Sequence, residues 1–257
     1  MGRIAGKIID IVFPIECLGC KKEGVWICEE CARKITINNE PCCLECKCNT
    51  EVGEFCAKCK KHYNLDGVFI ASDYDDKIIK TAIKTLKYRF VYDISRELAK
   101  LLFLFMQDAL TPARNASHSD AGGLTLSQRE RKCIPSVFKN FSEVIIIPVP
   151  LHKKRLRWRG FNQAEKLAEG FVKHFKLEMN AQDLQRVVHT KSQAKLNEAE
   201  RKINLVGSLS WRGGSLLNKN IMIMDDVVTT GSTLEECAKV LKQAGAKEVW
   251  GLVVAKG

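Results

Sequence analysis

Two neighbouring carboxylates followed by small polar residues form the stretch with the most evident chemistry in the 257-residue sequence. Asp225 and Asp226 follow the apolar run 221–224, and Thr-Thr-Gly-Ser-Thr at 229–233 comes soon after them. A buried strand, a turn of this composition and a following helix can surround a phosphate with backbone N–H groups, hydroxyls and the positive end of the helix. The carboxylates would repel that phosphate, so we expect them to bind sugar hydroxyls or a bridging cation. Their alternative role is a simple turn cap.

A basic stretch is the second candidate for binding chemistry. Residues 148–163 read Pro-Val-Pro-Leu-His-Lys-Lys-Arg-Leu-Arg-Trp-Arg-Gly-Phe-Asn-Gln, and residues 152–202 hold 13 basic against 6 acidic residues. Much of the formal net charge of +11 is therefore local, which indicates a phosphate-rich ligand. A solvated basic face is the alternative for each arginine. The sequence has no Gly-x-x-x-x-Gly-Lys-Ser/Thr and no Gly-x-Gly-x-x-Gly, which argues against the common nucleoside triphosphate and dinucleotide folds.

Cysteines form the third candidate site. Ten of the twelve lie between Cys17 and Cys59. Eight of these ten make four Cys-x2-Cys pairs: Cys17 and Cys20, Cys28 and Cys31, Cys43 and Cys46, and Cys56 and Cys59. Two such pairs complete a tetrahedral zinc site, so four pairs predict two structural zinc ions. A single zinc ion, and redox or disulfide chemistry, are the alternatives.

The sequence predicts that the Cys-x2-Cys pairs, here called knuckles, bind zinc, but it does not define which two knuckles share one zinc ion. Sequential pairing, with 17/20/28/31 in one site and 43/46/56/59 in the other, closes the shortest loops, and a cross-braced arrangement stays open. Cys42 and Cys48 are additional thiols that could replace a neighbouring ligand. Because structural zinc binds with on the order of 10–16 kcal/mol, we expect this module to fold only when it is loaded.

The elements that position these sites divide the chain at about residue 62. Residues 1–62 are predicted to form an N-terminal helix that ends at Pro14, and then a double zinc-ribbon-like module of short loops. Residues 63–257 alternate strands and helices, which predicts an α/β domain with a parallel sheet. The predicted strands are 67–74, 143–150, 220–224 and 248–254, and the predicted helices are one capped by Asp75, then 94–107, 162–175 and 232–243. Residues 108–140 are rich in Pro, Gly and Ser, which indicates a mobile insertion.

Composition limits where the protein can reside. With 46% hydrophobic and 28% charged residues, the chain is neither disordered nor membrane-like. The longest wholly apolar run, 101–106, is far shorter than the roughly 20 residues of a spanning helix. Asp10 interrupts the N-terminal apolar stretch, so it does not fit a secretory signal. We therefore expect a cytoplasmic protein with reduced thiols.

These motifs together resemble a known family. The stretch 225–233 is similar to the phosphoribosyl pyrophosphate (PRPP) loop of type I phosphoribosyltransferases, and the wider chain resembles the ComF/GntX-type proteins. The Arg-Gly-Phe-Asn-Gln at 159–163, the eight-cysteine N-terminus and Leu86-Lys87 also look like the family pattern. The resemblance covers the chain nearly end to end, apart from 108–140, which looks longer than the family usually carries.

The resemblance implies a type I phosphoribosyltransferase-like sheet flanked by helices, and a role for each matching residue. Asp225, Asp226 and Arg159 would be catalytic, with the aspartates on the ribose hydroxyls, and 229–233 would bind the 5′-phosphate. Arg155, Arg157 and Arg159 would face the pyrophosphate with a Mg²⁺ ion. Lys87, Arg186 and Arg201 would approach from mobile segments. The PRPP-binding set that follows is Asp225, Asp226, Val227, Val228, Thr229, Thr230, Gly231, Ser232, Thr233, Arg155, Arg157 and Lys87.

Three functions are compatible with these expectations. The resemblance implies a Mg²⁺-dependent phosphoribosyltransferase that moves ribose 5-phosphate from PRPP to an acceptor, with release of pyrophosphate. The alternative is a non-catalytic, PRPP-responsive protein that binds single-stranded DNA in natural transformation and DNA uptake, where Trp158 and Phe161 would stack on bases. Packing of the loop is the other role open to both aromatic residues. The third is a zinc-ribbon adaptor that docks to protein partners through the N-terminus alone, and it leaves the phosphate loop unexplained. Besides PRPP, the partners we expect are single-stranded DNA and DNA-uptake or recombination proteins.

Overall fold

The computed structural model describes residues 15–88, 93–110, 141–188 and 207–257. Its strands are β1 (Gly67–Asp73), β2 (Ile145–Pro148), β3 (Glu178–Met179), β4 (Leu184–Arg186), β5 (Leu209–Trp211), β6 (Asn220–Val228) and β7 (Glu248–Lys256). Its α-helices are α1 (Glu29–Ala32), α2 (Ala57–Lys60), α3 (Lys77–Tyr88), α4 (Ile94–Leu110), α5 (Lys153–Arg159), α6 (Gln163–Phe175) and α7 (Ser232–Gln243). A 3-10 turn, Phe141–Glu143, precedes β2.

A five-stranded sheet in the order β1-β7-β6-β2-β3 forms the centre of the fold. All four neighbouring strand pairs are parallel, with Ile223 opposite Ile147 on one side of β6 and opposite Gly251 on the other. This confirms the predicted parallel α/β sheet. The carboxyl ends of β1, β2, β6 and β7 consequently meet at one edge, where ligands bind in open α/β sheets. β4 and β5 form a separate antiparallel pair.

The two faces of the sheet are covered by different parts of the chain. Helices α3, α4 and α6 pack on one face, where Met222 and Met224 of β6 point. Helix α7, the β4-β5 pair and the second cysteine group pack on the other, where Ile221 and Ile223 point. This alternation follows from the two-residue period of a strand. Adjacent residues of β6 therefore reach two separate surroundings.

Several element boundaries differ from those that the sequence predicts. Asp76, and not Asp75, caps α3, because its Oδ1 accepts hydrogen bonds from Ile78 N at 2.9 Å and Ile79 N at 3.0 Å. β6 continues to Val228, four residues beyond its predicted end. α4 continues to Leu110, so the insertion predicted at 108–140 cannot begin before 111. The rest of that insertion and the predicted N-terminal helix lie outside the described residues.

The cysteine segment packs against the first strand of the sheet. Residues 15–62 contain two single helical turns joined by short loops, and they pack along β1 through an isolated bridge between Ile37 and Ser72. The division at residue 62 stays a prediction.

Among the described residues, no helix combines the length and hydrophobicity needed to cross a bilayer.

Candidate functional site

The two aspartates lie within β6, two to three residues before its end. β6 continues past them because Val227 and Val228 pair with Ala255 and Lys256 of β7. Asp226 is 2% exposed and shares the face of Met224, while Asp225 is half-buried and shares the face of Ile223. The Asp226 amide donates to Asp225 Oδ1 at 2.8 Å. The strand therefore presents two carboxylates on opposite faces.

Asp226 pairs with a cation from the helix that covers its face. Lys87, in the last turn of α3, forms an ion pair through Nζ with Asp226 Oδ2. Burial opposes charge on both groups, but their attraction outweighs it. The pKa of Lys87 is raised and the pKa of Asp226 is lowered. Lys87 thus belongs to a regular helix and not to a mobile segment.

Asp225 is electrostatically different from its neighbour. Burial, and then the negative charge of Asp226, raise its pKa well above the ordinary 3.8. On its face of the sheet it interacts with Arg186 and with Cys237 of α7. Lys87, on the other face, offsets this rise only in part. The pair therefore combines a strongly ionised carboxylate with one that resists ionisation.

Arg186 is the residue that sequence reasoning underrated. It belongs to β4, is 8% exposed, and has no hydrogen-bond partner for Nε or Nη2 within the described part of the chain. Burial lowers its pKa, and Arg155 and Asp225 act on it electrostatically. Arginine remains charged in proteins. Buried donors of this kind favour a ligand with anionic oxygens. No local pattern in the sequence marks this position, because its burial depends on the pairing of β4 with β5.

The predicted phosphate loop connects β6 to α7. Gly231, with φ 77°, is the N-cap of α7 and offers no side-chain acceptor to the amides of the first turn. Thr230 Oγ1 and Ser232 Oγ lie 2.8 Å apart, so the hydroxyls cluster on one side of the turn. Val227 and Val228 contribute strand backbone rather than loop. The arrangement offers an anion helix N–H groups and hydroxyls together.

The predicted basic loop is a helix, which is a correction to the sequence interpretation. His152 Nδ1 caps α5 by accepting from Lys154 N at 3.2 Å, and Gly160, with φ 78°, ends it. Helical spacing places Arg155 and Arg159 on one side of α5, whereas Arg157 lies on the opposite side and is exposed. The structure therefore brings two of the three predicted arginines to the same face.

Arg159 links α5 to the end of α3. Its Nη1 donates to Gln163 Oε1 at 2.5 Å, and its guanidinium lies 6.0 Å from the ring centroid of Tyr88. Burial lowers the pKa of Arg159, while the charge of Asp226 opposes that shift. Arg159 Nε has no hydrogen-bond partner among the residues described. Arg159 and Lys87 therefore both act on Asp226. Arg201 lies outside the described residues.

The aromatic residues near this helix differ in exposure. Trp158 is 62% exposed and Tyr88 is 60% exposed. Phe161 is buried in the same cluster as residues of α6, so packing, and not stacking on a base, is the role that the structure supports for it. Only the first two could offer a ring face to a base.

The cysteines form two separate groups. Cys17, Cys20, Cys28 and Cys31 make one group and Cys43, Cys46, Cys56 and Cys59 make the other, with the sulfurs of each within 4.8 Å of one another. This is the sequential grouping, and four sulfurs at such separations fit a tetrahedral zinc site. Cys48 Sγ lies 3.4 Å from Cys46 Sγ, so it is a fifth thiol beside the second group. Cys42 contacts Lys256 Nζ instead, at 3.9 Å.

Comparisons with known proteins agree with these features. Residues 159–256 match the phosphoribosyl transferase domain. The chain is 28% identical over 255 residues to Competence protein F of Haemophilus influenzae, covering 95% of this chain and 98% of that protein. It is 29% identical over 232 residues to DNA utilization protein YhgH of Salmonella typhi, covering 88% and 89%. A shorter match of 111 residues, 31% identical, is to Competence protein ComFC of Streptococcus pneumoniae, covering 43% and 47%.

Among solved structures, purine phosphoribosyltransferase from Pyrococcus horikoshii Ot3 matches 47% of this chain and 76% of its own, at 19% identity and a TM-score of 0.25. The match to Competence protein F extends over the cysteine segment and the α/β part of the chain alike, whereas the family match covers only residues 159–256. The chain is therefore similar to ComF-type competence proteins, and its residues 159–256 match the phosphoribosyl transferase domain.

Proposed function

We propose that the protein binds PRPP at the carboxyl edge of its sheet and transfers the phosphoribosyl group to an acceptor. The observation that carries this proposal is the buried guanidinium of Arg186, whose Nε and Nη2 have no partner among the described residues. It acts electrostatically on Asp225 and Arg155, at the edge where the phosphate loop begins. A diphosphate supplies the anionic oxygens that such donors require.

The proposed reaction uses the charges of this edge directly. A lone pair of the acceptor forms a bond to C1 of ribose, the bond from C1 to the diphosphate oxygen breaks, and its electron pair leaves with the diphosphate. Negative charge grows on the leaving group, where Arg155, Arg159 and Arg186 supply donors. Asp225 and Asp226 bind the ribose hydroxyls, and the loop that contains Gly231 binds the 5′-phosphate.

Metal ions complete the proposal. Carboxylate oxygens are the ligands that Mg²⁺ prefers, and half-buried Asp225 suits a bridging cation better than Asp226, whose carboxylate is paired with Lys87. When bound, Mg²⁺ would neutralise charge on the leaving diphosphate. The two cysteine groups bind one structural Zn²⁺ each. Reduced thiols of this kind suit a cytoplasmic protein.

Calorimetric titration of PRPP with Mg²⁺ tests the site without knowledge of the acceptor. A hydrogen bond to a charged group contributes about 1.5–3 kcal/mol, so we expect Arg186→Gln to weaken PRPP binding by at least about tenfold. Arg157→Gln is the matched control, because this arginine is exposed on the opposite side of α5, and its PRPP affinity should stay near that of the wild type. Equal losses in both variants would mean that only the net charge matters and that Arg186 has no specific role.

Release of pyrophosphate in the presence of acceptor pools tests the transfer step. We expect release that depends on both PRPP and an acceptor, and we expect Asp226→Asn to abolish it. PRPP binding without release from any pool would leave the binding site intact as a proposal and remove the transferase activity.

A second candidate function has its own observation. Trp158, within the basic helix α5, and Tyr88, at the end of α3, are exposed aromatic residues. Stacking on such residues together with basic side chains binds single-stranded nucleic acid. Relatives named for competence and for DNA utilization agree with this role. PRPP would then act as a regulatory ligand of a non-catalytic protein.

Fluorescence anisotropy with a labelled single-stranded oligonucleotide tests this candidate. The affinity should fall steeply with salt, since phosphate contacts release counterions. Stacking contributes about 1–3 kcal/mol per base, so Trp158→Ala should weaken binding by about fivefold or more, while Leu156→Ala, another exposed residue of α5, should not. Binding that is insensitive to salt and to Trp158→Ala would exclude this surface.

A further inference from the structure

The second cysteine group packs directly against the phosphate loop. Leu44, between Cys43 and Cys46, is 4% exposed and belongs to the same buried cluster as Val228 and Leu234, which flank the loop. A Cβ atom on Gly231 would collide with Leu44 Cδ2. Leu44 therefore occupies the space that the missing side chain leaves free, and it limits the movement of the loop on that side.

The same part of the chain is also attached to α7 by hydrogen bonds. Glu235, in the first turn of α7, accepts from Asn64 N at 2.9 Å, Asn64 Nδ2 at 2.7 Å and Leu65 N at 3.0 Å. These residues follow Cys59, the last ligand of the second group, by five and six positions. The helix that follows the phosphate loop is thus held by polar contacts at one point and by Leu44 at another.

The first cysteine group makes different contacts. A Cβ atom on Gly19 would lie 2.6 Å from Cys31 Sγ and 3.3 Å from Ile78 Cδ1, which places this group against the start of α3. Its buried cysteines cluster with Ile27 and Ile78. The two groups therefore pack on opposite faces of the sheet, and only the second adjoins the phosphate loop.

We infer that the second cysteine group, when it holds zinc, is the anchor that keeps the phosphate loop in its binding conformation, with Leu44 as the positioning residue. Zinc binding holds residues 43–46 in one conformation, and this keeps the Leu44 side chain in place. Leu44 in turn restricts the turn at Gly231 through their contact. Loss of metal from this group lets the loop open, and loss of metal from the first group does not. The effect on ligand affinity rests on the proposed function, whereas the effect on loop mobility does not.

Hydrogen exchange of the amides at 229–233, measured against those of the central strand β7, is the primary test. Removing Leu44 as Leu44→Ala should raise loop exchange by about tenfold while exchange in β7 changes little, because local opening is separate from global unfolding. Leu216→Ala is the matched control. It removes a leucine of similar burial from the same cluster, near the other end of α7. Leu44→Met, which conserves volume, should restore the slow exchange.

A second part of the experiment removes zinc from one cysteine group at a time by substituting exposed cysteines. Cys20 and Cys46 are both exposed second cysteines of a knuckle. Cys48 could replace Cys46 as a ligand, since their sulfurs are 3.4 Å apart, so the second group is emptied with Cys46→Ser and Cys48→Ser together. Elemental analysis should show one zinc lost in this double variant and one lost in Cys20→Ser. Only the double variant should open the loop.

Calorimetry with ribose 5-phosphate supplies the second measurement. Leu44→Ala should weaken its binding by about tenfold, since affinity falls with the fraction of molecules whose loop is closed. If the wild type does not bind PRPP in the titration described above, the proposed function fails, and the exchange data still decide whether the anchor exists. If Leu44→Ala leaves loop exchange unchanged, or raises exchange equally throughout β7, the inference is wrong whatever the protein binds.

Discussion

Replacing Asp225 by Asn should stabilise the protein, whereas replacing Asp226 by Asn should destabilise it. Burial and the charge of Asp226 raise the pKa of Asp225, so ionised Asp225 destabilises the ligand-free protein at neutral pH. Asn at this position removes the charge and keeps an oxygen for the Asp226 amide, which now donates to Asp225 Oδ1 at 2.8 Å. Asp225 is only half-buried, so solvent screens part of this penalty, and we expect Asp225→Asn to stabilise the protein by on the order of 1 kcal/mol.

Asp226→Asn should have the opposite effect, because it removes the partner of Lys87. The Asp226 side chain is almost completely buried, and the ammonium group of Lys87 is largely buried, so the variant leaves a cation without its counter-charge. Breaking such a pair typically costs about 3–5 kcal/mol, and the partial exposure of Lys87 places the expected loss near about 3 kcal/mol. In a protein of this size, each kcal/mol shifts the midpoint of thermal unfolding by about 2–4 °C.

Differential scanning calorimetry of the ligand-free variants at neutral pH measures both effects. The melting temperature of Asp225→Asn should rise by about 2–4 °C and that of Asp226→Asn should fall by about 6–12 °C. The pH dependence gives a further check on sign. Wild-type stability should decrease as pH rises from 3.8 through the raised pKa of Asp225, and Asp225→Asn should lack this decrease. A melting temperature for Asp225→Asn as low as that of Asp226→Asn would refute the assignment of charges.

Three further changes test other parts of the site. Gly231→Ala, at a φ of 77° and against Leu44, should cost about 1 kcal/mol in chemical denaturation and weaken ribose 5-phosphate binding in calorimetry. A chelator that removes zinc should lower near-ultraviolet circular dichroism from residues 15–62, and added Zn²⁺ should restore it. Acidification below 3.8 should remove the stabilisation from Asp226 as pH falls through its lowered pKa, and Lys87→Met should shrink this acid-side loss in pH-dependent unfolding.

Local sequence signals were sufficient for the elements of the central sheet. The continuous apolar runs predict β2 and β6 as strands buried on both faces, and the predicted helix at 232–243 coincides with α7. Loop-closure entropy favours the sequential cysteine grouping that the structure has. These successes share a cause, since each depends on residues that are close in sequence.

The features that sequence reasoning missed depend on long-range contacts or on caps. The segment 153–159 has no apolar stripe, so its helix is set by the cap at His152 and the left-handed Gly160 at its ends. The burial of Arg186 requires β4 to pair with β5, across the stretch of chain that separates them. The contact of Leu44 with Gly231 joins residues nearly two hundred positions apart. No spacing rule within a window of the sequence can find such contacts.

The division of charge across β6 explains why the site needs both covering layers. Asp226 forms an ion pair with Lys87 of α3, and Asp225 interacts electrostatically with Arg186 of β4, so elements on both sides of the sheet act on the two carboxylates. A ligand with phosphate groups at both ends and hydroxyls between them matches this order, because the phosphate loop follows Asp226 along the chain, while Arg186 acts on Asp225 and Arg159 acts chiefly on Asp226. Asp226 already has Lys87 as its counter-charge without a ligand, whereas Arg186 Nε and Nη2 have no hydrogen-bond partner in the described parts of the chain. Binding energy should therefore come chiefly from the Arg186 side, and the Lys87 side should set the stability of the fold.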